Sequence, residues 1–441
     1  MGDETKVTLK AQLGMFDAVA TGLAAILGAG IFAFIAPAAA IAGPALIISL
    51  IIAAFVAFCN AFSSAQLAAV YPRSGGTYEF GNKLLGPWWG YAAGWMFLTA
   101  NTVGPGVIAL AFGGYLSLLF NEVPMRYAAV VIALVMTIIN AAGIRRSARI
   151  IDIIVILSLL SLLAFIVLGI PGVKASNFTP FAPSGVLRIL QATGLLFFAY
   201  TGYSRIATLV EEVKNPKRTI PLATTVALGT ATLLYLFVAT TAIGVLGQNG
   251  VSHSSSPLAD TLAYLGISSG ALMITIGALL TTFNEGLSDL LGVSRVAFAM
   301  GREGDLPKGL AVLGAGLNPW RSVVVVGVVS ILVAAFAPFG IAIEVSSFGT
   351  LLYYTITNLS ALKLEKQQRM FPRWMMLAGL IGCLGLAFAL ALQSVIVGLV
   401  ILFAGSVSVA CISCLKIVKH EKRRRMKLET QKRSNLHRLV C

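Results

Sequence analysis

The chain is a succession of apolar runs, most of about 20 residues or more, divided by short polar or Gly/Pro-rich joins. A hydrocarbon layer about 30 Å thick demands this spacing of the helices that cross it. The runs fall at 14–42, 44–70, 87–119, 127–143, 151–170, 186–210, 221–247, 268–298, 322–337, 341–362, 374–392 and 394–418. An all-α membrane protein with about twelve transmembrane helices is therefore expected. The short ninth run and the tight joins at 336–342 and 392–395 leave eleven or thirteen open. No interval between runs is long enough for a separate soluble domain. With 58% hydrophobic and 11% charged residues, and a mean hydropathy of +0.89, an ordinary soluble domain is excluded. A closed β-barrel is excluded too, because its signal is short alternation rather than continuous apolarity. The segment Met1–Lys10 is polar and the first run is much longer than the apolar stretch of a secretion signal, so the first span is expected to be retained.

Lysine and arginine set the orientation, since they crowd cytoplasmic loops. Lys6 and Lys10, Arg73 and Lys83, Arg145, Arg146 and Arg149, Lys214, Lys217 and Arg218 fall on alternate joins. Arg302, Lys308 and Arg321, then Lys363, Lys366, Arg369 and Arg373, and the tail with Arg423, Arg424 and Arg425 continue that side. The opposite side has little beyond Arg126, Lys174 and Arg188. Both termini are expected in the cytoplasm of a multi-pass protein of the cell (plasma or inner) membrane. The net charge of +15 is mainly this topology signal. The basic tail reads as a contact for anionic lipid headgroups rather than nucleic acid. The expected parts are a cytoplasmic N-terminus 1–13, a core 14–362 holding spans 1–10, spans 11 and 12 in 363–418, and the tail 419–441.

Catalytic and metal chemistry finds no residues to carry it. His253, His420 and His437 lie in a loop or the tail, so the spans offer no histidine base for an enzyme. Cys411 and Cys414 form a lone C-x-x-C without the further ligands of a zinc site, and Cys59, Cys383 and Cys441 are scattered. No continuous polar stripe marks a channel. No cofactor and no metal are expected.

Two interruptions are informative. In span 1, AILGAGIFAF puts Gly28, Ala29 and Gly30 in mid-membrane. Glycine costs about 1 kcal/mol relative to alanine inside a helix, and backbone left unpaired in lipid costs more, so such a break persists only where protein or a ligand satisfies it. If the helix restarts near Ile31, its free N–H groups and positive dipole end suit a carboxylate. The alternative is that these glycines let two helices approach closely. In span 6, LLFFAYTGYSRIATLVEEVKNPKRTIP places Gly202 among Tyr200, Thr201, Tyr203 and Ser204. Five spans separate the two breaks, the pattern of a transporter built from two inverted repeats, here spans 1–5 and 6–10.

Five strings in order carry a family resemblance: GAGIF; YPRSGGTYEF with GPWWGY; NAAGIRRSARI; EEVKNPKRTIP; and GVSRVAFAMGREGDLP. From about residue 14 to the last span, the chain resembles the amino acid/polyamine/organocation transporters. The resemblance implies a five-plus-five inverted repeat with discontinuous helices 1 and 6, two peripheral helices, and secondary transport by alternating access. It implies that Ile26, Ala29 and Gly30 belong to the stretch that receives a substrate carboxylate. Phe198, Ala199 and Thr201 match the stretch whose carbonyls accept from the α-ammonium. A zwitterion would then lie between backbone dipoles rather than buried charged side chains. Phe198 and Tyr203 are gating candidates, or core. Arg295 is a candidate for an inner gate with a carboxylate, or a packing residue. Glu211 and Glu212 are either solvated or paired across that gate. Pro72, Gly75 and Gly76 suit a tight cytoplasmic turn.

Span 3, WMFLTANTVGPGVIALAF, offers Thr99, Asn101 and Thr102 toward a pocket but no acid, which favours small neutral amino acids over cationic ones or polyamines. Another organic solute, such as an amine or nucleobase, is the alternative substrate. For coupling, the span 5 position where some proton-coupled relatives carry a lysine is Ser158, and TTFNEGLSD in span 8 puts Phe283 and Asn284 where sodium-coupled relatives carry hydroxyls. A shift of one or two residues would bring in Thr281 and Thr282. Glu285, with Asp289 one turn away, is a mid-membrane carboxyl able to carry a proton. An ion pair of Glu285 with Arg205 or Arg295, and coupling-free exchange, remain the alternatives. The expected partners are a small-molecule amino acid, the lipid bilayer and a proton.

Overall fold

The computed structural model describes residues 14–71, 76–120, 122–143, 148–203, 213, 215–314 and 319–407. Among these the architecture is helical, without a β-strand. The helices are α1 (Met15–Ile26), α2 (Ala29–Ala33), α3 (Ile35–Ala42), α4 (Leu46–Val70), α5 (Thr77–Leu84), α6 (Pro87–Leu119), α7 (Met125–Ala141) and α8 (Ala148–Gly169). They continue with α9 (Gly185–Phe197), α10 (Pro216–Ser252), α11 (Pro257–Tyr264), α12 (Ser268–Glu303), α13 (Trp320–Phe336), α14 (Phe339–Leu362), α15 (Arg373–Ala389) and α16 (Leu392–Val407). Among the described residues, seven helical stretches are long and apolar enough to cross a bilayer. A further pair, α15 and α16, is bent by 114° at its join, and α7 and α13 are shorter apolar helices. This is a multi-pass helical membrane protein.

Local chemistry sets the joins. Gly43, at φ +61°, followed by Pro44, turns the chain between α3 and α4. Gly304, at φ +78°, ends α12 in the left-handed cap that glycine favours. Within α6, Pro105 lacks an N–H and loosens the ladder. Hydroxyls of neighbouring helices donate on either side of the Asn101 carbonyl that this proline leaves without its helical donor: Ser346 to the Ala100 carbonyl and Ser330 to that of Thr102.

The burial pattern is that of a protein with lipid as its outer solvent. Along α8, Ile153, Ile156, Leu160, Leu163 and Val167 recur at helical spacing and are all exposed. The interior is rich in small residues: Ala38, Ala39, Ala45, Ala53 and Ala57 are fully buried, which lets α3, α4 and α9 approach closely.

The structure differs from the sequence expectation at several points. Span 1 breaks at Leu27–Gly28 and resumes at Ala29, two residues before the expected restart at Ile31. Span 6 leaves α-geometry after Phe197 and runs as a 3-10 turn through Phe198–Tyr203, so its change of geometry begins four residues before Gly202. After the turn at Gly76 (φ +54°) the chain forms a short amphipathic helix, α5, that hydropathy alone does not register. Lys6, Lys10, Pro72, Arg73, Gly75, Arg145, Arg146, Ser204, Arg205, Glu211, Glu212 and Lys214 lie outside the described residues, as do Cys411, Cys414 and the tail from 419.

Candidate functional site

The two interruptions meet. Leu27 and Gly28 are extended (φ/ψ −76/93 and −145/−151), so Ile26 ends one helical segment and Ala29 begins the next. The 3-10 turn of span 6 packs against both α1 and α2. A Cβ on Gly30 would stand 2.8 Å from the Cα of Ala199, and one on Gly202 would overlap the Ala25 carbonyl. The close approach of helices and the candidate site are thus one place. Glycine is required there because two backbones touch.

Side chains from two other helices, α12 and α10, converge on this junction, and α6 approaches it through Gly104. The carboxylate of Glu285, in α12, accepts a 2.6 Å hydrogen bond from the Ala29 N–H. A Cβ on Gly28 would overlap the same carboxyl group. Asp289, one turn further, lies against Gly104 of α6: a Cβ there would be 2.6 Å from Asp289 Oδ2 and 3.5 Å from the ring of Phe198. From α10, the Tyr235 hydroxyl is 2.7 Å from the Ile26 carbonyl oxygen and 3.1 Å from that of Ala199. Backbone donors and acceptors outside the regular ladder thus face a carboxylate and a hydroxyl supplied by the protein.

On one side, aromatic rings close the junction. Phe198 packs on Phe34 at 5.5 Å between centroids, and Phe34 on Phe339 at 5.9 Å. Beyond them lies a cavity of about 270 Å³ whose lining includes Ala33, Pro37, Met125, Ser254 and Phe339. At the other end of the helices, the Tyr78 hydroxyl of α5 donates to Asp305, just past α12, at 2.7 Å. Burial first, then the bond and charge of Asp305, push the Tyr78 phenol above its ordinary range. The same short helix is tied to α14, the Thr77 N–H donating to the Tyr353 hydroxyl at 3.3 Å and Thr77 Oγ1 lying 2.6 Å from Thr357 Oγ1.

The remaining candidates are placed as follows. Tyr203 is buried with its ring on Tyr354, 5.4 Å between centroids. The Thr201 hydroxyl donates to the Phe198 carbonyl, inside the 3-10 turn. Asn101 donates back to Phe97 in its own helix, and the α6 residue facing the junction is Gly104. Ser158 is buried in α8, which packs on α12. Thr281 and Thr282 are buried with their hydroxyls donated to Gly277 and Ala278 of their own helix. Arg295 is exposed and forms no ion pair with a described carboxylate. Arg205, the other cation proposed for Glu285, lies outside the described residues. Sequence reasoning missed Tyr235, Gly104 and Phe34. Only Tyr235 left a signal: a lone tyrosine in an apolar run needs a partner for its hydroxyl.

Residues 13–417 match the sequence profile of a family described as amino acid permease. An uncharacterized transporter of Mycobacterium tuberculosis is 42% identical over 429 residues, 96% of each chain. The branched-chain amino acid permease BcaP of Bacillus subtilis is 30% identical over 387 residues, 83% of each. The methylthioribose transporter of the same organism is 29% identical over 380 residues, 82% of each. A polytopic helical chain with two interrupted spans in contact, matched along nearly its whole length, belongs to the amino acid permease family of the amino acid/polyamine/organocation superfamily.

Proposed function

We propose that the chain is a secondary active transporter that imports or exchanges small neutral L-amino acids by alternating access. Its twelve spans form two inverted repeats within 14–362 and a peripheral pair, α15 and α16, with both termini in the cytoplasm of the cell membrane. The substrate lies between the breaks of spans 1 and 6. Its carboxylate meets the amides at Ala29 and Gly30, and its ammonium meets the carbonyls of Ile26 and the Phe198–Thr201 turn. The observation that carries this reading is the junction itself, where the Ala29 N–H and the Ile26 and Ala199 carbonyls all take side-chain hydrogen bonds at the break of span 1 and the change of geometry in span 6. Similarity to a branched-chain amino acid permease supports a neutral side chain. Similarity to a methylthioribose transporter supports the alternative of another organic solute.

A proton on Glu285 couples transport in this reading. With the carboxylate on Ala29 N–H, the group that takes the proton also touches the amide meant for the substrate, so charge and binding change together. Sodium is less favoured because Phe283 and Asn284 stand where sodium-coupled relatives carry hydroxyls. Uptake into proteoliposomes of labelled alanine, serine and leucine, with proton, sodium and counter-substrate gradients imposed separately, tests both claims. Saturable uptake driven by an inward proton gradient is expected. Failure of excess alanine, serine or leucine to displace a transported solute would refute the amino acid reading.

A further inference from the structure

The Tyr235 hydroxyl sits fully buried between two backbone carbonyls, those of Ile26 and Ala199, on the two sides of the junction. One phenolic proton serves one of these acceptors at a time, whereas an ammonium has three N–H donors and can serve both. The ring is held independently of its hydroxyl, 5.2 Å from the ring of Tyr200, whose own hydroxyl is 3.3 Å from the Leu50 carbonyl. At the other side of the break, Glu285 occupies the Ala29 amide.

We infer that Tyr235 holds the place of the substrate's ammonium in the empty, closed carrier, so that an amino acid binds by displacing this hydroxyl from Ile26 and Ala199. The inference rests on the substrate position proposed above and adds a residue to it. The hydroxyl pins the two broken helices together when no substrate does so. It therefore supports the return of the empty carrier and competes with substrate. Both effects vanish with one oxygen atom.

The test is Tyr235→Phe in proteoliposomes, with net uptake and substrate exchange measured side by side. Exchange never passes through the empty closed form, whereas net uptake must. The expected result is a KM lowered about fivefold, the equivalent of one lost competing hydrogen bond of about 1 kcal/mol. Net uptake is expected to slow while exchange keeps its wild-type maximum. A raised KM would make Tyr235 a direct substrate ligand and overturn the inference. An unchanged KM with equal loss of net uptake and exchange would make it scaffold and also overturn it. Ser49→Ala, which removes a buried hydroxyl bonded to the Ile189 carbonyl away from both breaks, should leave KM unchanged. Should Tyr235→Phe fail to insert, the wild-type protein decides. An α-hydroxy acid of the same side chain has one donor in place of three and is expected not to inhibit, and inhibition equal to that by the amino acid overturns the inference. If wild-type protein transports no amino acid, the substrate reading fails first and the inference falls with it.

Discussion

Glu285 and Ala29 are 256 residues apart in sequence and joined by a 2.6 Å hydrogen bond, the carboxylate of α12 accepting from the first amide after the break in span 1. A carboxylate at the start of a helical segment is favoured by the free N–H and the dipole end. An incoming amino acid would bring a second carboxylate to the same amides, and two negative charges there repel. Protonation of Glu285 removes that conflict. The charged groups on the elements packed around it are Asp289, Arg295, Arg302 and Glu303 on its own helix, Asp260 on α11, Arg149 and Asp152 in the first turns of α8, Arg126 at the start of α7 and Arg321 at the start of α13, with none on α6 and with Tyr235 opposite. Glu285→Gln mimics the protonated acid. It is expected to retain substrate binding while uptake becomes indifferent to an imposed pH gradient. A wild-type pH response in the variant would remove Glu285 from coupling.

Gly202→Ala and Gly30→Leu test the contact between the breaks. A methyl group on residue 202 would overlap the Ala25 carbonyl, and any side chain on residue 30 meets the Ala199 backbone. Overpacking of this kind costs about 1–3 kcal/mol, which corresponds to a loss of roughly 5- to 150-fold in the closed, substrate-competent population. Uptake should fall by that order with normal membrane insertion, measured by surface labelling beside transport. Gly28→Ala should be milder, since it displaces only the movable end of Glu285.

Phe34, Phe198 and Phe339 separate the junction from the 270 Å³ cavity. Phe34→Ala removes the ring that contacts both others. The expected outcome is several-fold faster release of preloaded substrate toward the cavity side, read as efflux, with KM changed less than twofold. Efflux at the wild-type rate would show that these rings are only packing.

The helical class and the two interruptions were legible because hydropathy and glycine position are properties of single segments. Which residues face the junction was not. Asn101 and Gly104 share one face of a helix, yet the Asn101 amide bonds back to Phe97 while Gly104 meets Asp289 and Phe198, and a side chain that folds back onto its own helix leaves no mark in the sequence. Tyr235 was legible only as a tyrosine in need of a partner, because the partners are backbone carbonyls of two distant segments. Glu285 was legible as a carboxyl in mid-membrane, whereas its partner, an amide, has no sequence signature.

Tyr78 and Asp305 bridge α5 to the end of α12 outside the membrane-spanning segments. Because burial and Asp305 push the phenol above its ordinary range, Tyr78 should keep its proton at and below about pH 10. Tyr78→Phe is expected to alter the balance of inward- and outward-facing forms by about 1 kcal/mol. The pH profile of uptake should stay unchanged between pH 5 and 8. Accessibility labelling on each face measures the first and uptake the second. A shifted pH optimum would contradict this assignment.

Glu344, in α14, accepts from Gln191 Nε2 at 2.8 Å, Ser394 Oγ at 2.7 Å and the Ala391 N–H at 3.1 Å, and so fastens span 6 to the bend between α15 and α16. Glu344→Ala leaves these buried donors without their acceptor, a loss of about 2–4 kcal/mol. A Tm lower by several degrees in detergent should follow, and an unchanged Tm would show that the bend holds without it.

Binding of paired ligands to purified wild-type protein tests the central claim most directly, because on the proposed reading the junction would offer amides to a carboxylate and carbonyls to an ammonium. Leucine and its decarboxylated amine differ only in the group that Ala29 and Gly30 would receive. Calorimetry is expected to detect leucine binding and no binding of the amine at the same concentration, with the leucine signal lost in Gly30→Leu. Equal or tighter binding of the amine would mean that Glu285 supplies the only carboxylate the site requires, and that the transported solute is not an amino acid.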